Sequence, residues 1–217
     1  VPFERYPHLA SGTAQVGPIS DNQGTIQDFI NFSSVVSAGP SGLNMGGVAA
    51  HATVDGASFL RCYNHGVVIL SAAPTVGNVN MGGILGTTDK TITMSYCDNC
   101  ADASVGFSFT GAQTKEVRIG GLFGCIEKQA TSLVEKCNNY QNIIFENCSL
   151  VSSTHLKVGG VGGLFSSVMD YCINYGDITF TDTATGVTNE RPHFLECVLF
   201  LLGALQRSWK VPMTVCA

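Results

Sequence analysis

The sequence predicts an all-β chain: a right-handed parallel β-helix, or solenoid, of about five coils with N- and C-terminal capping segments. Three observations predict it. Two short phrases recur in phase, β-forming runs follow one of them, and the composition is poor in charge and rich in glycine.

The first phrase ends on an asparagine and a turn. It reads Phe29-Ile30-Asn31-Phe32, Cys62-Tyr63-Asn64-His65, Cys97-Asp98-Asn99-Cys100, Cys137-Asn138-Asn139-Tyr140 and Cys172-Ile173-Asn174-Tyr175, at steps of 33, 35, 40 and 35 residues. The second is a glycine pair before an apolar residue: Gly46-Gly47-Val48, Gly82-Gly83-Ile84, Gly120-Gly121-Leu122 and Gly159-Gly160-Val161. Each pair precedes its cysteine by 16, 15, 17 and 13 residues, so one unit carries both phrases in a fixed order. A period of this size marks a repeat architecture, in which a unit that cannot bury its own apolar face stacks on its neighbours.

The runs Val67-Val68-Ile69, Ile143-Ile144-Phe145 and Ile178-Thr179-Phe180 are β-branched or aromatic and bounded by turn residues, which makes them short strands. Phe59, Met94, Val134 and Met169, three residues before each ladder cysteine, share one register as buried strand positions. Stacking at about 4.8 Å then aligns Cys62, Cys97, Cys137 and Cys172 as a core column, and Asn31, Asn64, Asn99, Asn139 and Asn174 as a column whose amides bond from coil to coil. The glycine pairs serve either close backbone approach or a positive φ at a corner.

The ends lack the phrases. Residues 1–24, with Pro2, Pro7 and Pro18, are expected to form an N-terminal cap or lead-in; residues 25–182 the solenoid; residues 183–217 a C-terminal cap or truncated tail. There the apolar stretch Phe194 to Leu205, after Pro192, is a candidate short helix covering the last coil's open edge. That stretch is about a dozen residues and contains Glu196, short of the roughly 20 a spanning helix needs, so no membrane-spanning segment is expected. With 12% charged residues and a net charge of −5, the chain lacks the basic footprint of a nucleic-acid partner.

The phrases Gly82-Gly83-Ile84-Leu85-Gly86 and Gly120-Gly121-Leu122-Phe123-Gly124, each followed by Cys-x-Asn, resemble the GLUG repeats of bacterial surface proteins over residues 25 to 182. The resemblance implies an extracellular or cell-surface location, a stalk or adhesive role, and no catalytic residues.

No nucleophile elbow, paired helical histidines or phosphate-cradling loop is present, and no cofactor is expected. The residues just before the ladder cysteines, Arg61, Tyr96, Lys136 and Tyr171, should point outward if the cysteines point inward, and this stripe is the candidate binding face for a surface glycan or a host or neighbour-cell protein. A bland role for the stripe is shelter of the outer strand by amphipathic side chains. Cys62-x-x-His65 with Cys97-x-x-Cys100 would supply a tetrahedral zinc set, although Phe32, Tyr140 and Tyr175 at the same place mark a variable turn position. Nine cysteines leave at least one unpaired in an exported protein, and Cys125, Cys148, Cys197 and Cys216 lie off the ladder, where one pair could close if exposed to oxidant. Asp98, Glu135 and Asp170 fall near equivalent turns but at different positions of the unit, which gives thin support to a carbohydrate-active β-helix enzyme. The leading expectation is a non-catalytic extracellular or cell-surface repeat module for adhesion or glycan or protein binding, or a structural spacer.

Overall fold

The structure is a computed structural model that describes residues 14–37, 42–71, 77–100, 104–108, 112–113, 116–127, 131–146, 149–150, 156–166, 168–181, 193–194 and 214–216. All the regular structure among the described residues is β, and it forms a β-solenoid. Each coil gives one strand to each of five parallel sheets. The first sheet stacks Ala14–Val16, Leu43–Gly46, Val79–Gly82, Val117–Gly120, Leu156–Gly159 and His193–Phe194. The second stacks Ile19–Asn22, Ala49–Ala52, Leu85–Thr88, Phe123–Ile126 and Gly162–Phe165; the third stacks Thr25–Gln27, Ala57–Leu60, Ile92–Ser95, Leu133–Glu135 and Val168–Asp170. The fourth stacks Ile30–Asn31, Tyr63–Asn64, Asp98–Asn99, Asn138–Asn139 and Cys172–Asn174, and the fifth Val35–Ser37, Val68–Leu70, Ser104–Ser108, Asn142–Glu146 and Ile178–Thr181.

The first coil starts earlier than the recurring phrases do. Ala14–Val16 pairs with Leu43 to Met45, and Ile19–Asn22 with Ala49 to Ala52, inside the stretch 1–24 expected to cap the fold. A strand needs only backbone groups and an inward apolar pair, here Ala14 and Val16, so it can join a sheet without either phrase. Residues 1–13 lie outside the described residues. In the tail, His193–Phe194 extends the first sheet in parallel and Thr214–Cys216 pairs antiparallel with Cys172–Asn174. The start of the candidate helix is therefore strand, and its remainder lies outside the described residues.

Alternation along the strands divides the interior into two cores. Leu43, Met45, Val79, Met81, Val117 and Ile119 of the first sheet meet Val35, Val68, Leu70, Val105, Ile143 and Ile178 of the fifth. Phe59, Met94 and Val134 of the third sheet pack with Leu85, Phe123 and Ile126 of the second and with the four ladder cysteines. Cys62, Cys97, Cys137 and Cys172 are fully buried and free, each with its thiol directed at a strand carbonyl, Cys137 at Glu135 O at 3.0 Å. Burial pushes the Cys137 thiol up, as expected for a small apolar filler.

The asparagine column joins the coils. Each Nδ2 donates to the Oδ1 of the next coil's asparagine: Asn31 to Asn64 at 2.8 Å, Asn64 to Asn99 at 2.9 Å, Asn99 to Asn139 at 2.9 Å and Asn139 to Asn174 at 2.7 Å. The second proton of the Asn139 amide goes to Gln141 O at 2.9 Å, while its Oδ1 also accepts from Gln141 N at 3.2 Å; Asn64 does the same with Gly66. Both donors and both lone pairs are thereby used, which only a carboxamide of this length can do. One side chain fixes the turn into the fifth sheet and the stacking of the coils.

The glycine pairs explain why the two phrases stay in phase. A Cβ on Gly47, Gly83, Gly121 or Gly160 would overlap the carboxamide of Asn64, Asn99, Asn139 or Asn174 of the same coil. None of these glycines has a positive φ, so close approach, not left-handed backbone, selects them. The recurring left-handed position lies elsewhere and is never glycine: Asp28, Arg61, Tyr96, Lys136 and Tyr171 have φ of 55°, 51°, 54°, 52° and 49° at the corner between the third and fourth sheets. Each such residue costs roughly 1–2 kcal/mol. Hydrogen bonds to the next coil hold the corner, Arg61 N to Ser95 O at 3.1 Å and Lys136 N to Asp170 O at 2.9 Å among them.

Two substitutions test this account by urea denaturation. Gly121→Ala should lose about 3 kcal/mol or more through overlap with Asn139, whereas Gly24→Ala, with open space at its Cβ, should change stability by less than about 0.5 kcal/mol. Asn139→Leu, which strands the amide of Asn99 and the carbonyl groups of Asn174 and Gln141, should cost on the order of 3–5 kcal/mol. Equal stability of Gly121→Ala and wild type would remove the proposed contact between the phrases.

Candidate functional site

The fourth sheet carries the most distinctive outer surface. With Cys and Asn pointing in, strand alternation turns the residues between and after them outward. Together with the left-handed corner this makes three columns. The corner column is Asp28, Arg61, Tyr96, Lys136 and Tyr171; the middle one Ile30, Tyr63, Asp98, Asn138 and Ile173; the third Phe32, His65, Cys100, Tyr140 and Tyr175. Five of the chain's six tyrosines lie here, as do six of the seven exposed large hydrophobic residues among the described residues, Phe32 at 73% and Tyr171 at 64% exposure being the most open. Single exposed apolar residues are ordinary; here they are concentrated on one face.

Within the columns neighbours are matched from coil to coil. Arg61 grips Asp28 with both Nε and Nη2, the latter at 2.8 Å from Oδ2. Lys136 Nζ donates to the Tyr96 hydroxyl at 2.9 Å and lies 5.0 Å from the centre of its ring. Phe32 stacks on His65, and Tyr140 on Tyr175, each with ring centres 4.8 Å apart. Asn138 donates from N and Nδ2 to Asp98 Oδ1 at 3.0 Å each, and burial nonetheless raises the Asp98 carboxyl. The exposed Asp28 carboxyl is held down, from its ordinary 3.8 to about 2, first by the Arg61 hydrogen bonds and then by Gln27.

A second polar column runs along the outer side of the first sheet: Gln15, Asn44, Asn80, Arg118 and Lys157. Asn80 Nδ2 donates to Asn44 Oδ1 at 2.7 Å, and Asn44 Nδ2 to Gln15 Oε1 at 3.1 Å. Gly86, Gly124 and Gly163 bring the second sheet's backbone against this side, which is why Asn44, Asn80 and Arg118 are buried. Arg118 pairs with Glu116 and, at 3.7 Å, with Glu127, and its Nη1 lies 3.3 Å from the buried Cys125 thiol. Burial opposes the charge on Glu116, but Lys157 and Arg118 outweigh it and hold the carboxyl below the usual carboxylate range. A carboxylate so held is matched to structural pairing and ill suited to donate a proton as a general acid.

The structure separates some of the residues that sequence brings together. Cys62 and Cys97 lie inside the fourth sheet while His65 and Cys100 lie on its outer side, because a spacing of three inverts the side of a strand; the four cannot share one zinc ion. No group of three metal-ligating side chains occurs among the described residues. Glu135 and Asp170 are register neighbours on the third sheet, with Ser95 donating to Glu135 at 3.0 Å, whereas Asp98 belongs to the fourth. Cys148 and Cys197 lie outside the described residues. The third outer column and the Arg118 cluster are the features that sequence reasoning missed. Both have a signal, the residue after each ladder asparagine and the polar residue two before each glycine pair.

No family model, curated protein or solved structure matches the chain.

The ion pair at the corner column is testable by carboxyl-detected NMR. Asp28 should titrate with a midpoint near 2, and Arg61→Ala should return it toward 3.8. Since the folded value is depressed, the contribution of this pair to stability is complete above pH 3.8 and disappears as pH falls through about 2. A midpoint near 3.8 in the wild-type chain would show that the pair does not form in solution.

Proposed function

We propose that this chain is a non-catalytic repeat module of an extracellular or cell-surface protein, related to the GLUG repeats that its glycine phrases resemble, and that it meets a glycan or protein partner through the outer face of the fourth sheet. The observation that carries the reading is the concentration of exposed aromatic side chains on that face. Rings alternating with Arg61, Asp98, Asn138 and Lys136 offer apolar faces and hydrogen-bonding groups side by side, the combination that recognises sugars and protein surfaces.

Stacking restricts which rings are available. Tyr140 and Tyr175 use one face on each other, and Lys136 sits over one face of Tyr96, while Tyr171 is the most exposed of the tyrosines on this surface. The inward positions of every coil are occupied by the two cores and the asparagine column, so the scaffold is a rigid spacer that holds the outer columns in register.

A glycan-array and host-matrix screen on the purified chain, run beside a depolymerisation assay on any polysaccharide that binds, tests the proposal. Binding without product is expected, and Tyr96→Ala combined with Tyr171→Ala should weaken it by about tenfold or more. Product formation would replace the module with a carbohydrate-active β-helix enzyme. Binding unaffected by the double substitution would move the partner to another face, and silence in both assays would reduce the chain to a spacer.

A further inference from the structure

The outer face of the fourth sheet carries two carboxylates, Asp28 and Asp98, and two cations, Arg61 and Lys136. Arg61 is spent on Asp28, and Lys136 lies against Tyr96 in the same corner column. Asp98, in the middle column of the central coil, has no cation within ion-pair reach among the described residues. Its two hydrogen bonds from Asn138, through N and Nδ2, both fall on Oδ1, which leaves Oδ2 without a donor among the described residues. Burial disfavours an unpaired charge, and here it raises the Asp98 carboxyl ahead of the opposing Asn138 bonds. The phenols of Tyr63 and Tyr140 are raised by burial and then by the Asp98 charge, so that the carboxylate has a phenol beside it in the coil on either side.

The third column changes character on the same coil. Backbone bonds keep this column in step, from His65 N to Asn31 O at 2.7 Å, Cys100 N to Asn64 O at 2.8 Å, Tyr140 N to Asn99 O at 2.8 Å and Tyr175 N to Asn139 O at 2.7 Å. Rings occupy four of its five rungs, and the middle rung carries the much smaller side chain of Cys100. Tyr140 and Tyr175 lie within 2° of parallel, so the second face of Tyr140 looks along the stack toward that rung. The next ring beyond it is His65, stacked on Phe32 and two strand spacings, about 9.6 Å, from the Tyr140 rung. A planar group on the Cys100 rung would lie from Tyr140 at the 4.8 Å already seen in both stacked pairs.

A group suited to this rung is flat enough to stack on Tyr140 and positively charged to meet Asp98. A guanidinium is both, whereas an ammonium is a compact point charge. Its plane can lie on the phenol ring while one edge donates to the carboxylate. The net charge of −5 favours the approach of a cationic surface. We propose that the central coil of this face receives an arginine side chain of a protein partner, stacked on Tyr140 over Cys100 and hydrogen-bonded to Asp98 Oδ2. The site rests on the reading of the face as a contact surface, and it makes the partner a protein with an exposed arginine rather than a glycan.

The test is an NMR titration of the full chain with three capped tripeptides, acetyl-Gly-Xaa-Gly-amide, in which Xaa is arginine, lysine or the neutral, planar citrulline. The arginine peptide should shift the signals of Asp98, Cys100, Asn138 and Tyr140 with a Kd of about 1–10 mM, and the other two should bind about threefold or more weakly. Asp98→Asn, nearly the same in shape, should weaken the arginine peptide about fivefold or more, while Asp21→Asn, which removes the same charge from the second sheet, should leave its binding unchanged. Cys100→Tyr, which fills the rung with a ring, should abolish binding. Equal binding of the arginine peptide and either of the others, or binding retained in Asp98→Asn or Cys100→Tyr, would overturn the proposal. A partner that binds through Tyr96 and Tyr171 while the arginine peptide shifts nothing would remove this site and leave the contact face. Asp98-dependent binding of the peptide, with silence in the glycan and matrix screen, would keep the site and remove the broader reading.

Discussion

The carboxamide of one asparagine per coil is the constraint on which the rest of this structure depends. Asn64 and Asn139, inside the column, are fully buried where an unpaired polar group would cost about 1–3 kcal/mol, so their position is tolerable only with all four hydrogen bonds made. Two of those bonds run to the coils above and below and two to the coil's own turn, as at Asn64 and Asn139. Moving one coil by a residue would break both sets together. The column therefore fixes register more tightly than the apolar ladders beside it, where Val, Leu, Met and Ile exchange places with little loss.

From that fixed register follow the other regularities. The carboxamide leaves room for no side chain on the facing corner, which selects the second glycine of each pair. The cysteine two residues earlier shares the inner side of the strand and packs into the second core, where the first coil has Phe29. The residue before it turns the chain in left-handed conformation, and its side chain is thrown outward in every coil. Inner uniformity and outer variety are thus two sides of one strand. The outer positions are free to differ, and they do, from Asp28 through Arg61 and Tyr96 to Lys136 and Tyr171. Their neighbours are nonetheless complementary along the stack, by charge at Asp28 and Arg61 and by ring stacking at Tyr140 and Tyr175. Such matched surfaces contribute modestly to stability when exposed. Their larger consequence is that a binding face, if used, arrives already ordered.

The sequence by itself determined the fold class and the repeat, because a strict order of small, amide-bearing and apolar residues at a period near 36 residues has few physical solutions. It also placed the stripe from Arg61 to Tyr171 beside the ladder, since alternation is a local property of a strand. It could not show that Asn99 touches Gly83, that Asn80 and Arg118 are covered by Gly124 and Gly163, or that Thr214–Cys216 reverses against Cys172–Asn174. Nor could it show that Cys62 and His65 face opposite ways once their segment is a strand rather than a turn. These depend on how far the chain folds back across each corner and which coil edge the tail meets. Close packing between segments far apart in the chain decides them, and a one-dimensional pattern carries no distance between such segments.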